Sequence, residues 1–296
     1  MRASGRNEGN SFMKFGMRNV RARRAAIAAG AGVTALALMA NGGAAFASVE
    51  TVSSVSVVGD GRNWDFANDS SSGFGIDDGE LYNGRYAEDA FDTGLVLYVD
   101  GTVFYDEDDL GVLNAGKQTM NLGPSALSGL NVSRSEQAKG PYLRSLIKLN
   151  NPTGSAITTN LEWYSNLGSD SSEVANGSSS GKNLKFEKSD RWLVTHAPDD
   201  TGYGDDPALG FVFFGKNAAV HTTTIEDGPG DGAIGVDYTV KVPAGKTRYL
   251  LFYTEMWSTP AQAVKSMKKY DKEGLTSSLL SGLSKSVRGS VVNWNL

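Results

Sequence analysis

The 296-residue chain predicts an all-β fold, a large two-sheet antiparallel β-sandwich with a short C-terminal helical tail. Three observations carry this expectation. Apolar residues recur with period two over short runs, as at Val236, Tyr238, Val240 and Val242. The runs are parted by corners rich in Gly, Pro, Asn and Asp, with 36 glycines in all. Helical period appears only beyond Thr259.

Residues 1–47 read as a secretory leader outside the fold. Arg2, Arg6, Lys14, Arg18, Arg21, Arg23 and Arg24 form a basic segment, followed by an apolar run over 25–40 and the small-residue site Ala45-Phe46-Ala47. The run is shorter than the roughly 18–20 residues that span a bilayer, so cleavage after Ala47 is expected, giving a secreted or cell-surface protein without a membrane span. The leader holds seven of the 28 basic residues and one of the 33 acidic ones. The remainder carries 21 against 32, a net charge near −11. So acidic a chain repels nucleic acid and anionic lipid. Cysteine is absent, which excludes disulfides, thiol nucleophiles and thiolate metal sites.

A first strand is expected from Val49, Val52, Val55, Val57 and Val58, then a polar loop over 68–80. Asp100-Gly101 between Leu95-Leu97-Val99 and Val103-Tyr105 signals a hairpin. Strands over 117–135 break at Gly123-Pro124. Residues 142–167 hold two alternating runs joined at Asn150-Asn151-Pro152-Thr153-Gly154, a hairpin or sheet-crossing signal. Residues 169–183 read as a Ser-rich loop, 191–196 as a buried strand and 209–214 as a central strand. Turns at 226–232 and 243–246 bracket the run from Val236, and 248–256 closes the sheet. The domain spans 48–258. In the tail, 259–296, Pro260 starts one helix, and Leu275, Leu279, Leu283 and Val287 suggest a second, both packed on the sandwich.

The segments AFDTGLVLYVDGTVF, LSGLNVSR, LNNPTGSAITTNLEWYSNLGSD, DRWLVTH, DPALGFVFFG, YTVKVPAGKTRYLLFYTE and LLSGLSKSVRGSVVNW occur in this order. They resemble an uncharacterised module of secreted bacterial proteins, often found upstream of immunoglobulin-like repeats in surface proteins. The resemblance covers about residues 85–296. It implies an extracellular β-sandwich in a cell-surface or matrix setting and transfers no catalytic residue.

Glu162 and Glu255 lie beside Trp163 and Trp257, so each pair could set a carboxylate next to an aromatic sugar platform; the competing expectation is an outward Glu with its Trp in the core. Gly177-Ser178-Ser179-Ser180-Gly181 matches the nucleophile-elbow spacing but lacks a strand before it and a helix after it. His196 and His221 are the only histidines, and they show no zinc-binding spacing. Calcium is the expected cofactor, if any. Hard cations need several oxygens, offered by Asp106, Asp108 and Asp109 and by Asp227 with Asp231, though none fits an EF-hand register. The function expected first is an exported, non-catalytic structural or adhesive protein of the surface or biofilm matrix, self-associating or bound to extracellular polysaccharide. A polysaccharide-binding module and a carbohydrate-active enzyme are the alternatives.

Overall fold

In the computed structural model, residues 54–296 are described apart from 70–72, 83–85, 88, 106–111, 115, 169–173, 182–184 and 198–205. The strands run in chain order as β1 (Ser54–Gly59), β2 (Arg62–Asp69), β3 (Gly73–Tyr82), β4 (Tyr86–Ala87), β5 (Phe91–Val99) and β6 (Thr102–Val103). After them come β7 (Val112–Leu113), β8 (Thr119–Leu127), β9 (Leu130–Lys139), β10 (Tyr142–Asn150), β11 (Ile157–Leu167) and β12 (Val174–Ser178). The last five are β13 (Trp192–His196), β14 (Ala208–Val212), β15 (Thr224–Asp227), β16 (Ala233–Val242) and β17 (Thr247–Trp257), ahead of helices α1 (Pro260–Met267) and α2 (Lys285–Arg288). One antiparallel sheet has the order β1-β2-β3-β5-β11-β16-β15, with β4 on β3 and β6 on β5. The other has the order β12-β13-β14-β17-β10-β9-β8-β7. The chain is the two-sheet antiparallel sandwich that its period-two pattern predicts.

Asp100 and Gly101 both take positive φ, and β5 pairs with β6 across them, the hairpin that Asp-Gly signals. The Asn150–Gly154 corner joins different sheets: β10 pairs with β9 and β17, and β11 with β5 and β16. It is a crossing, not a hairpin. Asn151 holds it, its buried side chain donating to the Ser155 and Val242 carbonyls at 2.8 and 3.0 Å.

Two loop expectations need correction. Residues 73–80 belong to β3, and their glycines serve close packing: a Cβ on Gly75 would lie 2.7 Å from the Gly94 carbonyl oxygen of β5. Residues 174–178 form the edge strand β12.

The inner faces of both sheets supply one apolar core, with Phe66 stacked on Phe74 at 5.0 Å and Trp163 on Phe252 at 4.7 Å. A second core lies on the outer face of the β12–β7 sheet. There Tyr142, Val194, Leu251 and Tyr253 are covered by Met267, Tyr270, Leu279, Leu283 and Trp294 of the C-terminal segment. Helix α1 starts as its sequence dictates, with Thr259 Oγ1 accepting from the Gln262 amide and Pro260 in the first turn. The expected second helix is mostly turns, with four helical residues in α2; Leu279 and Leu283 are buried all the same. Buried Asn293 pins the end of the chain, bonding Leu251 N at 2.8 Å, Leu251 O at 2.9 Å and Phe213 O at 3.0 Å.

Candidate functional site

The surface feature with the most recognition chemistry is a groove built around the β1–β2 turn. Asp60 and Gly61 both have positive φ (50° and 70°), closing a tight hairpin. The Tyr82 amide donates to the Gly61 carbonyl at 2.7 Å, and a Cβ on Gly61 would sit 2.6 Å from the Tyr82 carbonyl oxygen. The turn therefore seats on the end of β3, and the Tyr82 ring stands 65% exposed beside it. Among the described residues it is the most exposed of the large apolar side chains, ahead of Leu296 at 41% and Val58 at 37%.

Arg62 points the other way. Its Nε donates to the Met256 carbonyl and its Nη1 to the Asp60 carbonyl, both at 2.8 Å, and its guanidinium lies 5.2 Å from the centre of the Trp257 ring. Trp257 is half-buried and donates through Nε1 to Glu255 Oε2 at 2.7 Å. Glu255 is fully buried, and its Oε1 also accepts from Tyr270 OH at 2.9 Å and from the Lys269 ammonium. Burial, then the Glu255 charge, pushes the Tyr270 pKa well above its ordinary value, so its hydroxyl stays a donor. Trp257 is thus fixed at both its ring face and its N–H.

The groove has two lobes of about 460 and 390 Å³ that share Asp60, Gly61, Arg62 and Tyr82. The first adds Asn63, Glu80 and Gln118, the second Trp257, Ser258 and Gln262. Asn63 Nδ2 donates to Glu80 and Asp65, while its Oδ1 is buried with no hydrogen-bond partner among the described residues. Two aromatic rings edged by amides and carboxylates can hold a ligand with a flat apolar face and a rim of hydroxyls.

Of the residues singled out from sequence, Trp257 lines this groove and Glu255 holds it from behind. Trp163 is 3% exposed within the core, under the Arg134 guanidinium at 4.9 Å, and offers no platform. Glu162 projects from the opposite side of the sandwich, because β11 turns Leu161, Trp163 and Leu167 inward. Glu162 and Glu255 therefore cannot act on one bond. His196 is buried on β13. Residues 177 and 178 end the edge strand β12, and no helix follows residue 181 before β13 among the described residues. Asp106, Asp108 and Asp109 lie outside the described residues. Asp231 Oδ2 accepts from the Gly228 amide of its own turn at 3.3 Å, and among the described residues no three acidic or histidine side chains are grouped to hold a metal ion. Tyr82, Asp60, Arg62 and Asn63 escaped the sequence reading; the Asp60-Gly61 pair after a Val-rich run was the signal for their hairpin.

The outer face of the β11–β16–β15 layer carries an acidic stripe. Glu162 pairs in register with Asp237 and with Tyr98. Burial, with a hydrogen bond to Glu226 and that residue's charge, pushes Asp237 up to about 6. Burial and then Asp237 raise Glu162, and burial and then Asp231 raise Asp227. A raised carboxyl pKa means the folded state binds the extra proton. Asp237 therefore stabilises the fold below its unfolded pKa near 4, and this contribution is lost as pH rises to about 6. Asp237→Asn is expected to raise stability at pH 7 by ~0.5–1 kcal/mol, discounted for exposure, and to flatten the fall between these limits. Thermal unfolding from pH 4 to 8 measures it; an unchanged slope would refute the assignment.

No family model and no curated protein matches the chain. Solved structures do. Slr1438 from Synechocystis sp. PCC 6803 matches with TM-score 0.42 and 9% identity over 75% of this chain and all of that one. Heparan sulfate lyase HepC from Pedobacter heparinus matches with TM-score 0.40 and 14% identity over 67% of this chain and 34% of that one. A polysaccharide lyase matches with TM-score 0.40 and 13% identity over 62% of this chain and 31% of that one. The chain thus spans about a third of each lyase, and likeness at this level carries no information on activity.

Proposed function

We propose that the protein is an exported polysaccharide-binding module whose ligand lies in the groove at Tyr82 and Trp257. The observation that carries the reading is the pairing of a 65% exposed Tyr82 with a Trp257 held at ring and N–H, inside one groove with side-chain amides and carboxylates. Sugar rings stack on aromatic faces through their C–H surface, and amides and carboxylates accept from their hydroxyls. Asp60 and Glu80 set an acidic rim, which favours neutral glycans over uronates and sulfated chains. A surface or matrix role, as first expected, would follow from holding such a polymer.

Catalysis is the weaker reading, since Glu162 and Glu255 stand on opposite faces. A glycan microarray probed with the purified protein is the test. Signal confined to neutral glycans and lost in Tyr82→Ala is expected. Absence of any glycan signal, or equal signal from the variant, counts against the groove.

A further inference from the structure

We propose that a cavity of about 550 Å³ between residues 176–181 and helix α1 is a second, separate site, one that takes a neutral hydroxylated ligand the size of a sugar unit. It does not depend on the groove. The wall made by Ser178, Ser179 and Ser180 is held rigid from behind by Asp190, which is fully buried. The Asp190 carboxylate accepts from the Ser180 amide at 2.7 Å, the Glu187 amide at 2.9 Å and Ser179 Oγ at 3.3 Å. Ser179 Oγ in turn accepts from the Arg191 amide at 2.8 Å. A loop tied this closely has already lost the entropy that binding would otherwise cost.

The opposite wall comes from Val264, Lys268 and Asp271, with Trp192 between the two. Helix α1 reaches β12 because Gly177 has no side chain; a Cβ there would lie 2.8 Å from a Val264 methyl. Asp271 Oδ1 accepts from Trp192 Nε1 at 2.9 Å and from the Arg191 guanidinium. Its Oδ2 has no hydrogen bond among the described residues. Asn176 Oδ1, which also lines the cavity, is buried without a partner among the described residues. Asn176 Oδ1 is a buried acceptor left unmet, which is costly, and Asp271 Oδ2 stays open on a side chain 35% exposed, so both suit a ligand that donates.

Charge narrows the class. Of the residues that line the cavity, Lys268 carries the positive charge and Asp271 the negative one, so the cavity has no surplus charge to neutralise an anion or a cation. Vicinal hydroxyls supply two donors without charge, and the carbon face of a sugar ring can lie against Trp192. Gln262 of the same helix lines the groove, so one short element carries side chains of both sites.

The test follows the Trp192 indole N–H of the ¹⁵N-labelled protein during titration with glucose, galactose, mannose, N-acetylglucosamine and glucuronate. A saturable shift with at least one neutral sugar is expected, unchanged in Tyr82→Ala and weakened about tenfold or more in both Asn176→Ala and Asp271→Asn. Asn at 271 keeps an acceptor for Trp192, so that variant decides if Asn176→Ala fails to fold. No shift up to about 100 mM sugar, a shift with glucuronate alone, or shifts that survive Asp271→Asn would overturn the site.

Discussion

Glu136→Ala is expected to destabilise the protein by about 3–5 kcal/mol, because it strands a buried cation. β9 turns Leu130, Val132, Arg134, Glu136 and Ala138 inward, so its alternation places two charges between the sheets. Both side chains are wholly buried. Arg134 donates to Glu136 Oε1 through Nε at 3.0 Å and Nη2 at 2.8 Å, and to the Phe74 carbonyl through Nη1 at 2.9 Å. Its guanidinium lies 4.5 Å from the centre of the Phe74 ring, while Ser145 Oγ donates to Glu136 Oε2 at 2.6 Å. Burial lowers the Arg134 pKa, and Glu136 works against that shift. Alanine removes the counter-charge and leaves the Ser145 hydroxyl unmet. Replacing both ions, as Arg134→Met with Glu136→Leu, is expected to cost far less than the single change, since well-packed apolar side chains often match a buried pair. Urea unfolding of the two variants measures the contrast. Equal losses would mean that shape, and not the stranded charge, sets the cost.

Glu255→Ala should cost about 1–3 kcal/mol, because it strands a buried hydroxyl and not a buried charge. The buried carboxylate gathers three donors, Trp257 on its own strand and Lys269 and Tyr270 in the C-terminal segment. Losing it leaves the Tyr270 hydroxyl buried without its acceptor beneath Tyr253 and Trp294, whose rings are 5.3 and 6.3 Å away. It also frees the Trp257 indole, so groove affinity should fall together with stability. Glu255→Gln retains one acceptor oxygen and should lose less of both. The midpoint of unfolding and the fluorescence of Trp257 report the two effects separately. A Glu255→Ala protein as stable as the parent would contradict the part assigned to this carboxylate.

How much of this could be read from sequence depends on what each pattern encodes. Alternation at Val236–Val242 and the Asp100-Gly101 corner are local, and both elements form where expected. The corner at Asn150–Gly154 gives a reversal but not the partner: whether β11 returns beside β10 or crosses is decided by distant strands. Residues 73–80 look like a loop because glycine there serves a neighbouring backbone, a need invisible without β5. The leucines at 275, 279 and 283 have helical spacing, yet turns bury Leu279 and Leu283 against the sheet equally well.

The site was less legible than the fold. Trp163 and Trp257 look alike in sequence, one directly after Glu162 and the other two residues after Glu255, and the structure puts one in the core and leaves the other half-buried in a groove. Tyr82 carries no pattern; its exposure comes from the seating of the Asp60-Gly61 turn on β3. Trp257 is held by Arg62 on β2 and by Glu255 on its own strand, and Glu255 is held in turn by Lys269 and Tyr270 of the C-terminal segment, residues far apart in the chain.

Calorimetric titration of the neutral glycan with the strongest array signal, into the parent protein and into Tyr82→Ala with Trp257→Ala, interrogates the groove most directly. The expected result is a measurable Kd for the parent and a loss of about a hundredfold or more in the double variant, with unfolding still cooperative. The same affinity in both proteins would place the ligand elsewhere and remove the basis for a glycan-binding groove.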